Sequence, residues 1–458
     1  MPGFTMRIIA AVLTFMYTLV WLITYAPLPS QVAELVYSPQ EGVTLGYSEP
    51  ITVHILQSRE EASFPLQRAA ELYRQETGGD VRISVETVGG ISEYQSALRA
   101  RLASGQSVDV FHIFGRRDMR SLYGHLADLS HLELLDGAMP STLDTVSLDS
   151  GVFGIPYSLE GVGLIANRSM FSTADLALDS IEDFNDLWDI FRDMRDVILS
   201  GELLEDFPNL QVVTEFPAQS NVYLGRQIAD VVLTEAFASR EDAAESLTVE
   251  FSAEAGAQSY LRLLASYTDN RLNWYRLANI SQHRQIEDGI AVGRVAMIHQ
   301  NADIFRLINE IDSTLADDLI LLPIPLSDID PPAIYTGVPA FWAVNDSSSP
   351  EAQEAAKSFL TWLYTSDTGS KIVAEELLAL SVFRESAHPT ENPMHRQILS
   401  YTNLGQTRPW LHAEIPSGWV SLSFGPALRD WLRDEKAWDE IIEEFSFVWA
   451  STAYESLR

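Results

Sequence analysis

The sequence predicts an α/β protein that folds as two halves. The chain has 458 residues, which is more than one ordinary hydrophobic core accommodates, and 46% of them are hydrophobic. Strand-like and helix-like segments alternate near the beginning of the ordered sequence. The order β-α-β-α-β indicates parallel strands with helices packed on the sheet faces.

The first five elements follow from local patterns. Apolar and polar residues alternate at 51–55 and again at 81–85, as in half-buried strands. Between them, a helix opens at Ser63 and Pro65 and ends at Gly78-Gly79. A second helix is predicted from a Ser92 cap to Gly105, and residues 108–114 are apolar enough for a buried strand.

The remaining elements are less regular. Helical patterns dominate residues 182–270, with a polar, proline-containing interruption at 207–220. Short strands are predicted near 295–298 and 319–325. Ser349 and Pro350 form a strong helix start, and apolar residues follow on one face as far as Leu363.

Composition excludes several function classes. The formal net charge is −34, and only three lysines occur, so a surface this acidic disfavours nucleic acid. Cysteine is absent, which excludes disulfides, zinc-thiolate sites, iron–sulfur clusters, thiol nucleophiles and lipid attachment through cysteine. No metal site is predicted, because the nine histidines are scattered without a ligand spacing.

The N-terminus predicts export from the cytoplasm. Arg7 precedes eighteen uncharged residues, 8–25, which would rise about 27 Å as a helix. Residues 1–26 are therefore interpreted as an uncleaved membrane anchor or a cleaved signal peptide, and both remain open. The other reading, a buried core helix, fits the terminal position poorly. Residues 27–48 have the proline-rich composition of a tether.

Four segments carry a family likeness. They are SVDVF at 107–111, VFGIPY with GLIAN at 152–167, DGIAVGRVAM at 288–297, and PIP through FWAVN into a helix at 323–365. In this order they resemble segments of the family 1 extracellular solute-binding proteins of ABC importers, the maltose-binding-protein-like, carbohydrate type. Val108 replaces the usual proline and Arg294 the usual lysine. Residues 182–220 and those beyond Trp419 fit less well.

This resemblance implies a periplasmic-binding-protein-like clamp. Each lobe would be a mainly parallel sheet flanked by helices, with hinge crossovers between lobes. We expect lobe 1 at 49–157 plus 341–388 and lobe 2 at 158–340 plus 389–458. A mono- or oligosaccharide would bind in the cleft without a cofactor. The implied partners are the importer's membrane subunits, together with the membrane itself if the N-terminal segment is uncleaved.

Candidate ligand contacts follow predicted strands, where open α/β sheets bind ligands. Sugars require aromatic rings for their C–H faces and carboxylates, amides or arginines for their hydroxyls. The resemblance places a ligand-contacting carboxylate at Glu160, which otherwise reads as a surface acid. Tyr157 would either stack on the ligand or pack at the hinge between the lobes. The family also contacts ligand after the third strand, at Phe114, Arg116 and Arg117, although the arginines could simply balance surface charge.

Other aromatic and polar residues complete the predicted site. Trp410 and Trp419 lie in a proline- and glycine-containing loop, and the family carries a stacking aromatic in a similar late loop. Trp342 lies near an expected crossover and is a core residue or a ligand contact. Further candidates on loops after predicted elements are Asn221, Tyr223, Asn301 and Asp303.

Other functions remain as alternatives. The ligand could be a non-sugar solute, or the complex could signal to a membrane sensor. A secreted enzyme acting on glycosides would need paired carboxylates, which the many acids could supply, but no pair is singled out. Gly161-x-Gly163-x-x-Ala166 superficially matches a dinucleotide fingerprint; it runs into an apolar strand instead of a helix, so it is rejected.

Overall fold

The computed structural model describes residues 50–237, 239–251, 254–268, 277–384, 386 and 388–456. The predicted anchor or signal at 1–26 and the tether at 27–48 lie outside the described residues. Within the described part, no helix has both the length and the apolar character needed to span a bilayer.

Strands and helices are numbered in chain order. The strands are β1 (Ile51–Gln57), β2 (Val81–Thr87), β3 (Val110–Ile113), β4 (Ser147–Leu148), β5 (Gly151–Val152), β6 (Ile155–Pro156), β7 (Glu160–Asn167), β8 (Met297–Asn301), β9 (Leu319–Leu322), β10 (Ile324–Leu326), β11 (Ile329–Gly337), β12 (Phe341–Val344) and β13 (Thr407–Pro409). The α-helices are α1 (Ser63–Glu76), α2 (Ile91–Ser104), α3 (Arg116–Ser121), α4 (Arg168–Thr173), α5 (Phe184–Ser200), α6 (Asn221–Tyr223), α7 (Ala229–Val232), α8 (Arg240–Glu245), α9 (Glu254–Ser266), α10 (Gln282–Ile286), α11 (Phe305–Ile311), α12 (Ser313–Asp317), α13 (Pro350–Thr365), α14 (Asp367–Lys371), α15 (Pro393–Asn403), α16 (Gly425–Leu432) and α17 (Trp438–Ser456). Wider π-type turns occupy Leu224–Ile228, Ile372–Glu376 and Val420–Phe424, and short 3₁₀ turns include Glu60–Ala62, Ala302–Ile304 and His412–Glu414.

The first sheet has the strand order β2-β1-β3-β12-β6. Strand β1 pairs in parallel with β2 and β3, which confirms the β-α-β-α-β prediction. Strands β12 and β6 come from later in the chain and pair antiparallel. We call this sheet and its helices the first half.

The second sheet has the strand order β10-β11-β7-β8, with β9 beside β7 and β13 beside β11. Its pairs are antiparallel except for β11 with β13, so the expectation of a mainly parallel sheet is wrong here. Strand β7 carries the chain from the first sheet into the second, and β11 carries it back to the first. Because these two strands lie side by side, they run in opposite directions. We call this sheet and its helices the second half.

The side chains of each sheet alternate between two apolar clusters. In the first half, Leu56 and Phe111 pack with helix α2, whereas Ile55 and Val110 pack on the opposite face with α1 and α13. The latter cluster continues onto one face of the second sheet, and the other face of that sheet is covered by the helices of residues 184–266 and the C-terminal helices.

Most predicted helix ends are confirmed, with one correction. Gly105 ends α2 in the left-handed conformation, with φ of 68°, and Ser349 caps α13 by accepting a hydrogen bond from the Ala352 backbone N–H. The predicted Ser92 cap is wrong. Helix α2 begins at Ile91 after Gly90, whose φ of 77° lets the chain turn directly into the helix.

Candidate functional site

Two of the chain segments that connect the halves lie next to each other. Phe341 pairs with Pro156 in the first sheet, and Gly337 pairs with Glu160 in the second sheet, so the links β6–β7 and β11–β12 run side by side. The Tyr157 backbone N–H donates to the Ala340 carbonyl oxygen at 3.0 Å. A rotation between the halves would therefore be absorbed by a few residues in these links.

Arg59 lies where β1 ends, and the buried Gln57 side chain fixes its backbone. Oε1 of Gln57 accepts a hydrogen bond from the Arg59 backbone N–H at 2.6 Å. Nε2 of Gln57 donates to the Arg59 carbonyl oxygen at 2.8 Å and to Oγ1 of Thr87 at 2.5 Å. Because Gln57 is fully buried, this turn is held against the sheet and aims the Arg59 side chain out of the first half.

The guanidinium group of Arg59 joins three carboxylates from both halves. Its Nη1 donates to Oε1 of Glu160 at 2.9 Å, and its Nη2 to Oδ2 of Asp303 at 2.7 Å. Its Nε donates to Oε1 of Glu61, within the first half, at 2.6 Å. We call Arg59, Glu61, Glu160, Asn301 and Asp303 the inner cluster.

Strand ends of the second sheet supply the rest of the inner cluster. Nδ2 of Asn301, at the end of β8, donates to Oε2 of Glu160 at 2.7 Å. Oδ1 of Asn301 accepts a hydrogen bond from the Asp303 backbone N–H at 3.1 Å. Asn301 thus contacts the Glu160 carboxylate and the Asp303 backbone with one side chain.

The pKa values of Glu160 and Asp303, the two carboxyl groups that the second half contributes to the inner cluster, shift in opposite directions. Burial and the neighbouring Asp303 raise the pKa of Glu160 well above its usual value. Burial also acts to raise the pKa of Asp303, but the hydrogen bond with Glu160 and the charge of Arg59 outweigh it and lower that pKa. Of the two carboxyl groups, Glu160 therefore has the higher pKa.

Aromatic rings lie beneath the inner cluster. The Arg59 guanidinium stacks 5.1 Å from the centroid of the Tyr157 ring. Tyr157 packs on His112 and Trp342, with ring centroids 5.6 Å away in each case. Burial lowers the pKa of His112 to about 3, and the positive charge of Arg59 acts in the same direction, so the ring is neutral.

A second set of contacts joins the halves at helix α3. The Arg116 backbone N–H donates to both carboxylate oxygens of Glu414 at 3.2 Å, and Nε of Arg117 donates to the Glu414 carbonyl oxygen at 2.7 Å. Nη1 of Arg116 also lies 2.7 Å from Oε1 of Glu241. We call Arg116, Arg117, Arg120, Glu241, Glu245 and Glu414 the outer cluster.

The structure brings part of the predicted site together. Glu160, Asn301 and Asp303 converge on Arg59, with Tyr157 beneath it. Arg116 and Arg117 lie in the outer cluster. Phe114 is half-buried and packs on Tyr94 and His112. Ligand contact by these residues stays a prediction.

The other candidate aromatic residues are in the interior. The indole N–H of Trp410 donates to the Tyr335 carbonyl oxygen, and that of Trp419 donates to the Phe445 carbonyl oxygen. Trp410 is 2% exposed and Trp419 is completely buried. Their loop composition favoured exposure, but it gave no sign of the C-terminal helix that covers Trp419. Stacking of a ligand on either ring stays a prediction and would require the loop to rearrange.

Three further candidates have partners within the protein. Trp342 is fully buried, and its indole N–H donates to the Tyr364 hydroxyl at 3.0 Å. Tyr223 is also fully buried, and its hydroxyl donates to the His299 carbonyl oxygen. Asn221 is exposed and accepts a hydrogen bond from Arg429 at 3.0 Å.

Sequence reasoning missed Arg59, Glu61 and Glu414. Arg59 was within reach, because it follows the first strand as Arg116 follows the third, and the same strand-end rule applies to both. Glu414 has no comparable signal. Its role depends on residue 116, which is 298 positions away in the chain.

Two other features bear on ligand binding: the distribution of metal-ligating side chains and a surface cavity. Within the ranges that the structure describes, no group of three or more histidine, aspartate or glutamate side chains could hold a metal ion. A surface cavity of about 530 Å³ lies in the second half beside Phe207 and Leu315. Two of the aspartates that line it are already engaged: Asp318 accepts a hydrogen bond from the Ser169 backbone N–H, and Asp312 accepts one from that of Leu315.

Comparison with known proteins identifies the architecture. A model of the family described as "Bacterial extracellular solute-binding protein" matches residues 68–393, well over half of the chain. A search of curated proteins gave no match.

Solved structures share the fold at low sequence identity. The putative binding protein MsmE from Bacillus subtilis, in an open conformation, is 16% identical with a TM-score of 0.67, over 89% of this chain and 99% of that one. RafE in complex with raffinose is 13% identical with a TM-score of 0.67, over 88% and 100%. A chitin oligosaccharide binding protein is 15% identical with a TM-score of 0.67, over 89% and 100%. These similarities establish a two-lobed α/β solute-binding fold.

Proposed function

This chain belongs to the bacterial extracellular solute-binding proteins, and we propose that it captures a carbohydrate between its two halves and delivers it to an ABC importer. The observation that carries the proposal is the inner cluster. Charged and amide groups from both halves converge there, beside the paired links that would serve as a hinge.

The chemistry of the inner cluster suits a sugar. Carboxylate, amide and guanidinium groups form charge-assisted hydrogen bonds with hydroxyls, and unpaired buried groups reject analogues that lack those hydroxyls. The Tyr157 ring beneath Arg59 offers an apolar surface of the kind that packs on pyranose C–H groups. Similar folds that were solved with raffinose and stachyose support a sugar over other solutes.

The family description places the protein outside the cytoplasm. We propose in addition that residues 1–26 either anchor it to the membrane or direct its export before cleavage. We further propose that the protein releases its ligand unchanged, since its assigned family is one of binding proteins.

Calorimetric titration of the purified protein tests the proposal. The panel contains raffinose, stachyose and chitin oligosaccharides, with a polyol and short peptides as non-sugar comparisons. We expect saturable binding of at least one sugar, and we expect Glu160→Gln to weaken it about tenfold or more, because a charge-assisted hydrogen bond is lost. The matched control is Glu133→Gln, which changes an exposed acid and should bind as wild type.

Two outcomes would contradict the proposal. Binding of a peptide or polyol with no response to any sugar would assign a different ligand class. Hydrolysis of a chromogenic glycoside by wild-type protein, abolished in Glu160→Gln, would make the protein an enzyme.

A further inference from the structure

The surface cavity of the second half lies far from the inner cluster. Strand β7 connects the two places: Glu160, its first residue, belongs to the inner cluster, and Asn167, its last residue, lines the cavity. The strand spans about 23 Å between these two residues. The cavity volume of about 530 Å³ is within the range of small-molecule sites. The cavity is therefore large enough and distant enough to be a separate binding site.

Part of the cavity wall is apolar. Met170 of α4 is buried there, and the side chains of Phe207 and Leu315 are half-buried. Two of the lining loops are joined to each other, because Nδ2 of Asn209 donates a hydrogen bond to the Val292 carbonyl oxygen at 3.0 Å. The cavity thus offers a ligand an apolar surface between connected segments of the chain.

Four aspartates line the same cavity, namely Asp206, Asp312, Asp317 and Asp318. No lysine, arginine or histidine is among the described residues that line it. Asp312 and Asp318 each accept a hydrogen bond from a backbone N–H, whereas the side chains of Asp206 and Asp317 have no hydrogen bond or ion pair with another described residue. Carboxylates around a concave apolar surface concentrate negative potential there, which attracts a cation.

Asn167 adds a hydrogen-bond donor that the protein itself leaves unused. The residue is 4% exposed, and its Oδ1 accepts a hydrogen bond from the Met170 backbone N–H at 3.0 Å, which caps α4. Its Nδ2 has no hydrogen-bond partner among the described residues and is not fully sealed from solvent. Because Asn167 lines the cavity and is otherwise buried, this amide nitrogen opens onto the cavity. A ligand oxygen placed there would satisfy a donor that is costly to leave unpaired.

We propose that this cavity binds a small organic amine that also carries a hydroxyl or carbonyl oxygen. The ammonium group lies among the aspartates, the apolar body packs on Met170, Phe207 and Leu315, and the oxygen accepts a hydrogen bond from Nδ2 of Asn167. A neutral ligand would leave the four carboxylates without a counter-charge, and an anion would be repelled by them. This site is additional to the inner cluster and does not depend on what binds there.

A titration followed by NMR of methionine methyl groups labelled with carbon-13 tests the proposal. A Cβ atom on Gly293, which lines the cavity, would lie 3.4 Å from the methyl carbon of Met170, so this methyl group reports on the cavity. Its signal is assigned from the variant Met170→Leu. Met119, which is fully buried in the first half, is the internal control. With tyramine as the probe, we expect a saturable shift of the Met170 signal and an unchanged Met119 signal.

Two relatives of tyramine separate the parts of the proposed site. 4-Hydroxyphenylacetate keeps the ring and the hydroxyl but carries a carboxylate, so it should bind at least about tenfold more weakly. 2-Phenylethylamine lacks the hydroxyl and should bind about threefold more weakly, because the Asn167 donor then stays unpaired. Tyramine binding should also weaken as sodium chloride is added, since salt screens exposed carboxylates.

The double variant Asp206→Asn with Asp317→Asn removes two exposed charges from the cavity and should weaken tyramine binding about fivefold or more. The matched control is Glu205→Gln with Glu310→Gln. It makes the same change in net charge at exposed positions that do not line the cavity, so it should bind tyramine as wild type.

Several results would overturn the proposal. Tyramine could leave the Met170 signal unchanged or shift only that of Met119. Either relative could bind as tightly as tyramine, or the double asparagine variant could bind tyramine as well as its control does. If circular dichroism shows that the double variant is misfolded, the comparison of the three probes on wild-type protein decides the matter. None of these results bears on sugar binding, which the calorimetric titration tests separately.

Discussion

Replacing Arg59 by glutamine should lower the free energy of unfolding, because the carboxyl groups of the inner cluster would lose their neutralising cation. The substitution keeps hydrogen-bond donors but removes the only cation that contacts both Glu160 and Asp303 among the described residues. Glu160 is 5% exposed and would then face Asp303 without a neutralising charge. Neither carboxylate has another arginine or lysine within ion-pair distance in the described part of the chain.

The size of the expected stability loss follows from how far Arg59, Glu160 and Asp303 are exposed to water. Breaking a buried ion pair by removing one partner costs about 3–5 kcal/mol. Asp303 is 32% exposed, so water offsets part of this cost, and we expect about 3 kcal/mol. For a chain of this length, that corresponds to a fall in Tm of roughly 3–6 °C.

The loss of stability in Arg59→Gln should increase as the pH rises. Without Arg59, the pKa of Glu160, which is already raised in the wild type, should rise further, and the pKa of Asp303 should rise above that of the unfolded chain. A carboxyl group of this kind costs stability above its unfolded pKa, and the cost disappears as protonation proceeds at lower pH. The difference between Arg59→Gln and wild type should therefore be larger at pH 8 than at pH 5.

Thermal and urea unfolding, followed by circular dichroism at both pH values, measures this difference. The control is Arg74→Gln, whose partner Glu71 lies on the same exposed helix surface, where water screens the ion pair and its loss should change stability little. If Arg59→Gln matches Arg74→Gln at both pH values, Arg59 does not join the halves in solution.

Three further predictions concern the interior. Trp419→Ala should lower the unfolding free energy by about 3–5 kcal/mol in urea titrations, because a completely buried indole is removed; an unchanged midpoint would place the ring elsewhere. Burial lowers the pKa of His299 to about 3, so the unfolded chain binds a proton that the folded protein does not, and acid below about pH 6.5 favours unfolding. The slope of unfolding free energy against pH between about 6 and 4 should be smaller in His299→Gln by about 1.4 kcal/mol per pH unit, and equal slopes would refute the assignment. Gly163→Ala should destabilise strongly, since its Cβ would lie 2.5 Å from the Leu322 carbonyl oxygen, whereas Gly124→Ala should unfold as wild type.

The fold of the first half could be predicted because its signals are local. Alternation over residues 51–57 and 81–87, with the α1 stripe between them, is enough to imply a parallel pair joined by a helix. The antiparallel second sheet could not be predicted in the same way. Apart from the β10–β11 hairpin, its paired strands lie far apart in the chain, and their directions depend on how the links cross between the halves.

Part of the inner cluster could be predicted from the sequence. Glu160, Asn301 and Asp303 were found because they border strand-like segments, and strand ends gather at one edge of a sheet. Trp410 and Trp419 were placed on a loop by composition alone, whereas long-range packing buries both. Burial is a property of the whole chain, and a loop sequence does not reveal what covers it.

The sequence by itself determined the alternation of strands and helices, the acidic surface, the absence of thiol chemistry and the strand ends where polar groups collect. Only the tertiary structure decided which charges meet. Arg59 is paired with carboxylates 101 and 244 positions away, and no periodic pattern encodes such a contact. Hydrophobic periodicity acts within one element, whereas an ion pair across two halves depends on the rotation of one packed sheet against another.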